Sequence, residues 1–135
     1  MFRTLTACLV ALALGACQAG GDHSLPGDSN DHAAYAGIGP DETIRFTGTE
    51  PFWGATAQGD QLVYTTPERP EGTTIAVKRF AGRGGLSFSG MLDGAKFDLT
   101  ITPGECSDGM SDRTYPFTAT LLVAGATRKG CAWTE

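Results

Sequence analysis

The side chains best able to do chemistry crowd into one stretch, Glu105-Cys106-Ser107-Asp108-Gly109-Met110-Ser111-Asp112-Arg113. Glu105, Asp108 and Asp112, with Ser107 and Ser111 among them, offer the clustered oxygens that hard cations such as Ca²⁺ take. The spacing does not fit the Ca²⁺-binding loop, which needs alternating Asp or Asn before a Gly and then a distal Glu. No metal site is therefore expected. Short Asp and Ser side chains more often bond the backbone of their own loop, and Arg113 is expected to pair with Asp108 or Asp112. Gly109 can take the left-handed conformation that such a turn needs. Catalysis has little to work with. Both histidines, His23 and His32, lie ahead of the patterned part of the chain. No G-x-S-x-G or S-x-x-K motif occurs. A carboxylate pair such as Glu50 and Asp108 would act only if the fold brought the two together. We expect a non-catalytic protein with no cofactor.

The cysteines divide by position. Arg3 opens the chain with a positive charge, Leu5 to Leu14 is nearly all apolar, and Leu14-Gly15-Ala16-Cys17 follows. The apolar run is too short to span a bilayer and suits a signal-peptide core. The tetrapeptide resembles the bacterial lipoprotein signal. That resemblance implies cleavage before Cys17, a lipid on its sulfur, and residues 1–16 as a leader. An ordinary secretory signal with Cys17 incidental is the alternative. Two or three acyl chains make a stable anchor, since each buried methylene contributes about 0.8 kcal/mol. Gln18 is not the Asp linked with inner-membrane retention, which favours the outer membrane, facing the periplasm. Cys8 leaves with the leader and Cys17 takes the lipid. Cys106 and Cys131 remain, a pair expected to form a disulfide in an oxidising compartment. A metal or redox pair is the alternative, but there is no Cys-x-x-Cys spacing and no histidine nearby.

Formal charge is −5, and losing Arg3 makes it −6. An acidic chain argues against nucleic acid, which calls for a basic face. A cationic protein partner remains compatible. Residues 17–40 are rich in Gly, Asp, Asn, Ser and Pro with no hydrophobic period. They read as the acylated cysteine and a flexible tether, with a mean reach of roughly 25–30 Å.

The elements that must hold these residues are strands. From Thr43 onward apolar and polar residues alternate in short runs between turn signals, the pattern of half-buried antiparallel strands. The expected strands are Thr43 to Gly48, Phe52 to Ala57, Gln61 to Thr66, Thr73 to Phe80, Leu86 to Met91, Lys96 to Thr102, Tyr115 to Val123 and Ala126 to Trp133. Pro67 to Gly72 and Pro103 to Thr114 read as loops, and Asp93-Gly94 is a strong two-residue hairpin signal. No stretch keeps a helical period. About eight strands with no helix to cover them must cover one another. We expect an all-β domain over residues 41–135, a small antiparallel barrel with one disulfide. A two-sheet β-sandwich is the alternative.

Gly48-Thr49-Glu50-Pro51-Phe52-Trp53-Gly54 is the second notable stretch. Phe52 and Trp53 are adjacent, so they point to opposite faces of a strand. One is expected in the core and the other at the surface. Together with Cys106-Ser107-Asp108-Gly109-Met110-Ser111-Asp112-Arg113, Tyr115-Pro116 and Gly130-Cys131-Ala132, this stretch resembles an uncharacterised family of bacterial envelope lipoproteins. The resemblance spans about residues 43 to 133. It implies location and fold and carries no established activity. Similar domains occur in envelope proteins beside other small β modules, lysozyme-inhibitor-like ones among them, and such inhibitors place a Ser-Gly-x-x-Tyr loop and a Lys in the enzyme's cleft. Here Ser89-Gly90-Met91-Leu92-Asp93 has Asp at the Tyr position, with Lys96 nearby. Lysozyme inhibition is thus the alternative to a binding or envelope-maintenance module with an envelope-protein or cell-wall partner. The expected binding surface is Glu50, Phe52, Trp53, Ser107, Asp108, Met110, Asp112, Arg113 and Tyr115.

Overall fold

Alternation of apolar and polar side chains builds every strand of this domain. The structure, a computed structural model, describes residues 33–135. The segment expected to be a leader, residues 1–16, the Cys17 expected to carry the lipid, and residues 18–32 of the expected tether, with His23 and His32, lie outside the described residues. Eight strands follow in order: β1 (Ile44–Gly48), β2 (Gly54–Gln58), β3 (Gln61–Thr66), β4 (Arg69–Ala81), β5 (Leu86–Leu92), β6 (Ala95–Ser107), β7 (Thr114–Val123) and β8 (Ala126–Thr134). Each pairs antiparallel with the next, and β1 closes on β8 from Ile44↔Thr134 to Gly48↔Gly130. The sheet is a closed up-and-down barrel. Continuous β1–β8 pairing leaves no gap between two sheets, so the sandwich alternative is set aside. Closure also removes the free strand edges on which another chain could pair.

Inward residues fill the barrel. Ile44, Phe46, Leu62, Ile75, Val77, Leu86, Phe88, Phe97, Leu99, Ile101 and Leu121 are all buried. An aromatic series crosses the interior, Phe46 to Trp53 and Trp53 to Tyr64 each at 6.4 Å between centroids, then Tyr64 to Phe97 edge-on at 5.4 Å. These spacings suit tilted and edge-to-face aromatic contact. The Asp93-Gly94 hairpin forms as its sequence predicts, with φ of 50° and 80°. That double left-handed turn matches the strand twist.

Three boundaries differ from the sequence reading. β4 begins at Arg69 rather than Thr73, and β6 runs through to Ser107 rather than ending near Thr102. Both extensions are largely exposed, so their side chains show no alternation although the backbone continues to pair. The third difference is the tether, read as flexible to Pro40. Tyr35 N–H donates to the Gly82 carbonyl at 2.7 Å, and Arg79 donates to the Ile38 carbonyl at 2.8 Å. Ile38 is buried in the core cluster and Tyr35 packs against it. Residues 35–38 are therefore docked on the barrel and not free, because Ile38, one apolar residue among polar ones, is buried in its core cluster.

Candidate functional site

The connection from β1 to β2 is the first component of the site. Gly48 N–H donates to the Trp53 carbonyl at 2.7 Å. The Lys129 carbonyl on β8 accepts from the Thr49 N–H, the Thr49 hydroxyl and the Trp53 indole, at 3.1, 3.2 and 3.2 Å. Trp53 is 4% exposed and Phe52 is 43% exposed. The adjacent aromatics part, Trp53 to the core and Phe52 to the surface, although β2 begins only at Gly54, so both lie in the connection and not on the strand Phe52 to Ala57 that the sequence predicts. Trp53 fits because Gly48 and Gly130 have no β-carbon. A β-carbon on Gly48 would lie 2.1 Å from Trp53 Cδ1, and one on Gly130 would lie 2.9 Å from Trp53 Cζ2.

The second component is the long connection between β6 and β7. Its strands leave the barrel at the end opposite the β1–β2 connection, and a register shift between Pro103 and Cys106 turns the hairpin. Beyond that shift it folds back on the outside of β8. Cys106 reaches Cys131 with a Cα–Cα distance of 5.6 Å, and the disulfide forms. That span lies within the usual disulfide range. Tyr115 packs on Trp133 at 5.1 Å between centroids, and the Arg113 guanidinium lies 4.8 Å over each ring. Arg113 is therefore held by aromatic faces, not by Asp108 or Asp112 as the sequence suggested. Its planar cation gains more from two ring faces than from a carboxylate that is already occupied.

Asp108 is that occupied carboxylate. Its Oδ1 accepts from the backbone N–H groups of Met110 and Ser111 at 2.9 and 2.8 Å. Its Oδ2 accepts from the Ser111 hydroxyl at 2.9 Å and the Tyr115 hydroxyl at 3.2 Å. Backbone donors, first Ser111 and then Met110, hold its pKa down from 3.8 to about 2, with the Ser111 and Tyr115 hydroxyls adding to them. Four donors use all the lone-pair sites of a carboxylate. Asp108 has nothing left with which to bind a ligand, a metal or a proton at neutral pH. Ser107 accepts from the Gly109 N–H at 3.2 Å and Ser111 from the Arg113 N–H at 3.3 Å, as the loop-capping reading expected. Gly109 takes φ of 73°.

The two components meet. Met110, 64% exposed, lines one groove together with Phe52, Trp53, Thr47, Gly48 and Pro67. The groove encloses about 290 Å³. Phe52 also walls a larger hollow of about 680 Å³ with Glu50, Pro51, Thr66, Pro67, Glu68 and Arg128. Three residues of the expected binding surface need correction. Trp53, Asp108 and Tyr115 are buried, so they frame the site and do not present it. Their neighbours Glu50, Phe52, Ser107, Met110, Asp112 and Arg113 are exposed. Of these, Phe52 and Met110 share the groove, Glu50 lies at the adjoining hollow, and Ser107, Asp112 and Arg113 border neither. Neither the groove nor the hollow is lined by both Glu50 and Asp108.

Arg128 escaped the sequence reading. It stands opposite Leu121, a fully buried core residue, and so shares the inward face of β8 with Gly130 and Ala132. A charged residue in phase with the core face of a strand was the signal available. No family model, no curated protein and no solved structure matches the chain.

Proposed function

We propose that this protein is a lipid-anchored module of the bacterial envelope, non-catalytic, that binds an envelope-protein or cell-wall partner at the barrel mouth. The leader and Cys17 motif support the anchor, and Gln18, which is not Asp, favours the outer membrane, facing the periplasm. One observation supports the binding site. Phe52 and Met110, from connections that leave opposite ends of the barrel, converge on one groove and are both exposed. Large apolar side chains held at the surface lose hydrophobic stabilisation unless something covers them. Here a buried indole, a disulfide and a saturated carboxylate fix the backbone that presents them. Such preorganisation lowers the entropy cost of association.

The Ser89-Gly90 pair, on which the lysozyme-inhibitor alternative rested, lies within β5. Ser89 pairs with Lys78 and with Asp98, and Gly90 with Val77 and Phe97. Pairing with β4 ends at Gly90, and Met91 and Leu92 continue into the Asp93-Gly94 hairpin with Asp93 where the motif has Tyr, so the lysozyme-inhibitor reading gains no support beyond the Ser-Gly pair.

The test is photo-crosslinking in the intact envelope. A photoreactive residue would replace Phe52, Met110 or, as a control, Phe80, which is 66% exposed outside both hollows. Positions 52 and 110 should capture the same partner and position 80 should not. Capture of unrelated partners at 52 and 110, or of none, would reject the reading.

A further inference from the structure

The hollow beside the groove carries a specific chemistry. Its floor holds Arg128, whose Nε is the one buried side-chain nitrogen or oxygen without a hydrogen-bond partner among the described residues. No ion pair joins Arg128 to Glu50 or Glu68, although both line the same hollow. Tyr64 reports on the same place. Burial raises its pKa, Arg128 opposes the rise and Glu68 adds to it, so both charges act on the phenol at the barrel mouth. Pro51, Phe52 and Pro67 supply apolar walls. A buried N–H without a partner costs stability. Among apolar walls its interaction with an incoming acceptor is stronger than in water.

We propose that this hollow binds a small zwitterion, one carboxylate carried together with one ammonium, as in a free amino acid or a short peptide with free ends. The inference rests on the reading of the barrel mouth as a binding site and names the chemistry of its ligand. The guanidinium fork of Arg128 matches a carboxylate in two parallel bonds. Glu50 and Glu68, both exposed at the rim, take the ammonium. A phosphate would bring a second negative charge between two carboxylates and is disfavoured by like-charge repulsion. The hollow's volume falls in the range of small-molecule sites.

The test is calorimetric titration of the full chain in detergent with alanine, tri-alanine and tri-alanine amide. Saturable binding of alanine or tri-alanine, with the amide weaker by roughly tenfold or more, is expected for loss of a charge-assisted bond. Alanine against tri-alanine separates a free amino acid from a peptide end. Arg128→Met should lose the binding while melting at or above the wild-type temperature, since it removes an unpaired buried donor. Should that variant not fold, the double change Glu50→Gln with Glu68→Gln replaces it. It should weaken tri-alanine and strengthen acetate. Equal binding of the amide, retained affinity in Arg128→Met, or no binding of any probe overturns the assignment. Crosslinking from positions 52 and 110 decides the broader reading separately. A captured partner with no zwitterion binding rejects only the ligand. Zwitterion binding with no captured partner rejects the macromolecular partner.

Discussion

Trp53 occupies the space that a β-carbon on Gly130 would need, 2.9 Å from Cζ2 of the indole and 2.5 Å from the Thr47 carbonyl. The glycine sits on β8 and the indole comes from the β1–β2 connection, so the closing seam of the barrel and the wall of the groove are one packing unit. Gly130→Ala should overpack this point and destabilise by about 1–3 kcal/mol. Trp53→Phe should also destabilise, losing ring volume and the bond to the Lys129 carbonyl. Thermal melting checks both, and an unchanged melting temperature for Gly130→Ala would contradict the close approach.

The disulfide spans 25 residues of sequence and holds the folded-back hairpin against β8. Replacing both Cys106 and Cys131 by Ser should cost roughly 3–4 kcal/mol. Reductant should lower the melting temperature of the wild type towards that of the variant and leave the variant unchanged. The same loss should release Met110 from Phe52, and crosslinking from position 110 should then fall while crosslinking from position 52 persists.

Asp108 links this hairpin to pH. Its pKa lies below the ordinary value, at about 2. A depressed carboxylate stabilises the folded state above its unfolded pKa of about 3.9 and loses that contribution as pH falls through the folded value. The wild type should melt above Asp108→Asn at pH 6, and the gap should close between about pH 4 and pH 2. A gap that stayed constant across this range would show that the Asp108 charge is not what the four donors hold.

Phe52→Ala and Met110→Ala should change stability by no more than about 1 kcal/mol, because both side chains are substantially exposed. Each should nevertheless reduce capture of the proposed partner from a photoreactive residue placed at the other position. Melting curves and crosslinking yields separate the two effects. A large loss of stability in either variant would mean that the groove is part of the core.

Tyr35 and Ile38 tie the segment ahead of the barrel to its end. Ile38→Asp should open that end and destabilise by several kcal/mol, since a buried charge would have no partner there. Proteolysis of the full chain should then cut further into the segment after residue 35. Cutting at the same place in both proteins would contradict the docking.

The sequence by itself determined the strands and the cysteine pairing. Ile44 and Phe46, Leu62 and Tyr64, and Phe97, Leu99 and Ile101 alternate because each strand has one wet face and one buried face. That local rule is written residue by residue. The Asp93-Gly94 turn is equally local, since its two residues accept positive φ. Tertiary structure alone decided that Trp53 and not Phe52 was buried, because the space for an indole is made by Gly48 and by Gly130, far away in sequence. It alone brought Met110 to Phe52, since a register shift at one end of the barrel sends a hairpin back along its wall. It alone turned Asp108 from a candidate ligand group into a saturated internal acceptor and set Arg128 beneath Glu50 and Glu68. Such relationships depend on closure of β1 on β8, a contact between the two ends of the domain that no local pattern encodes.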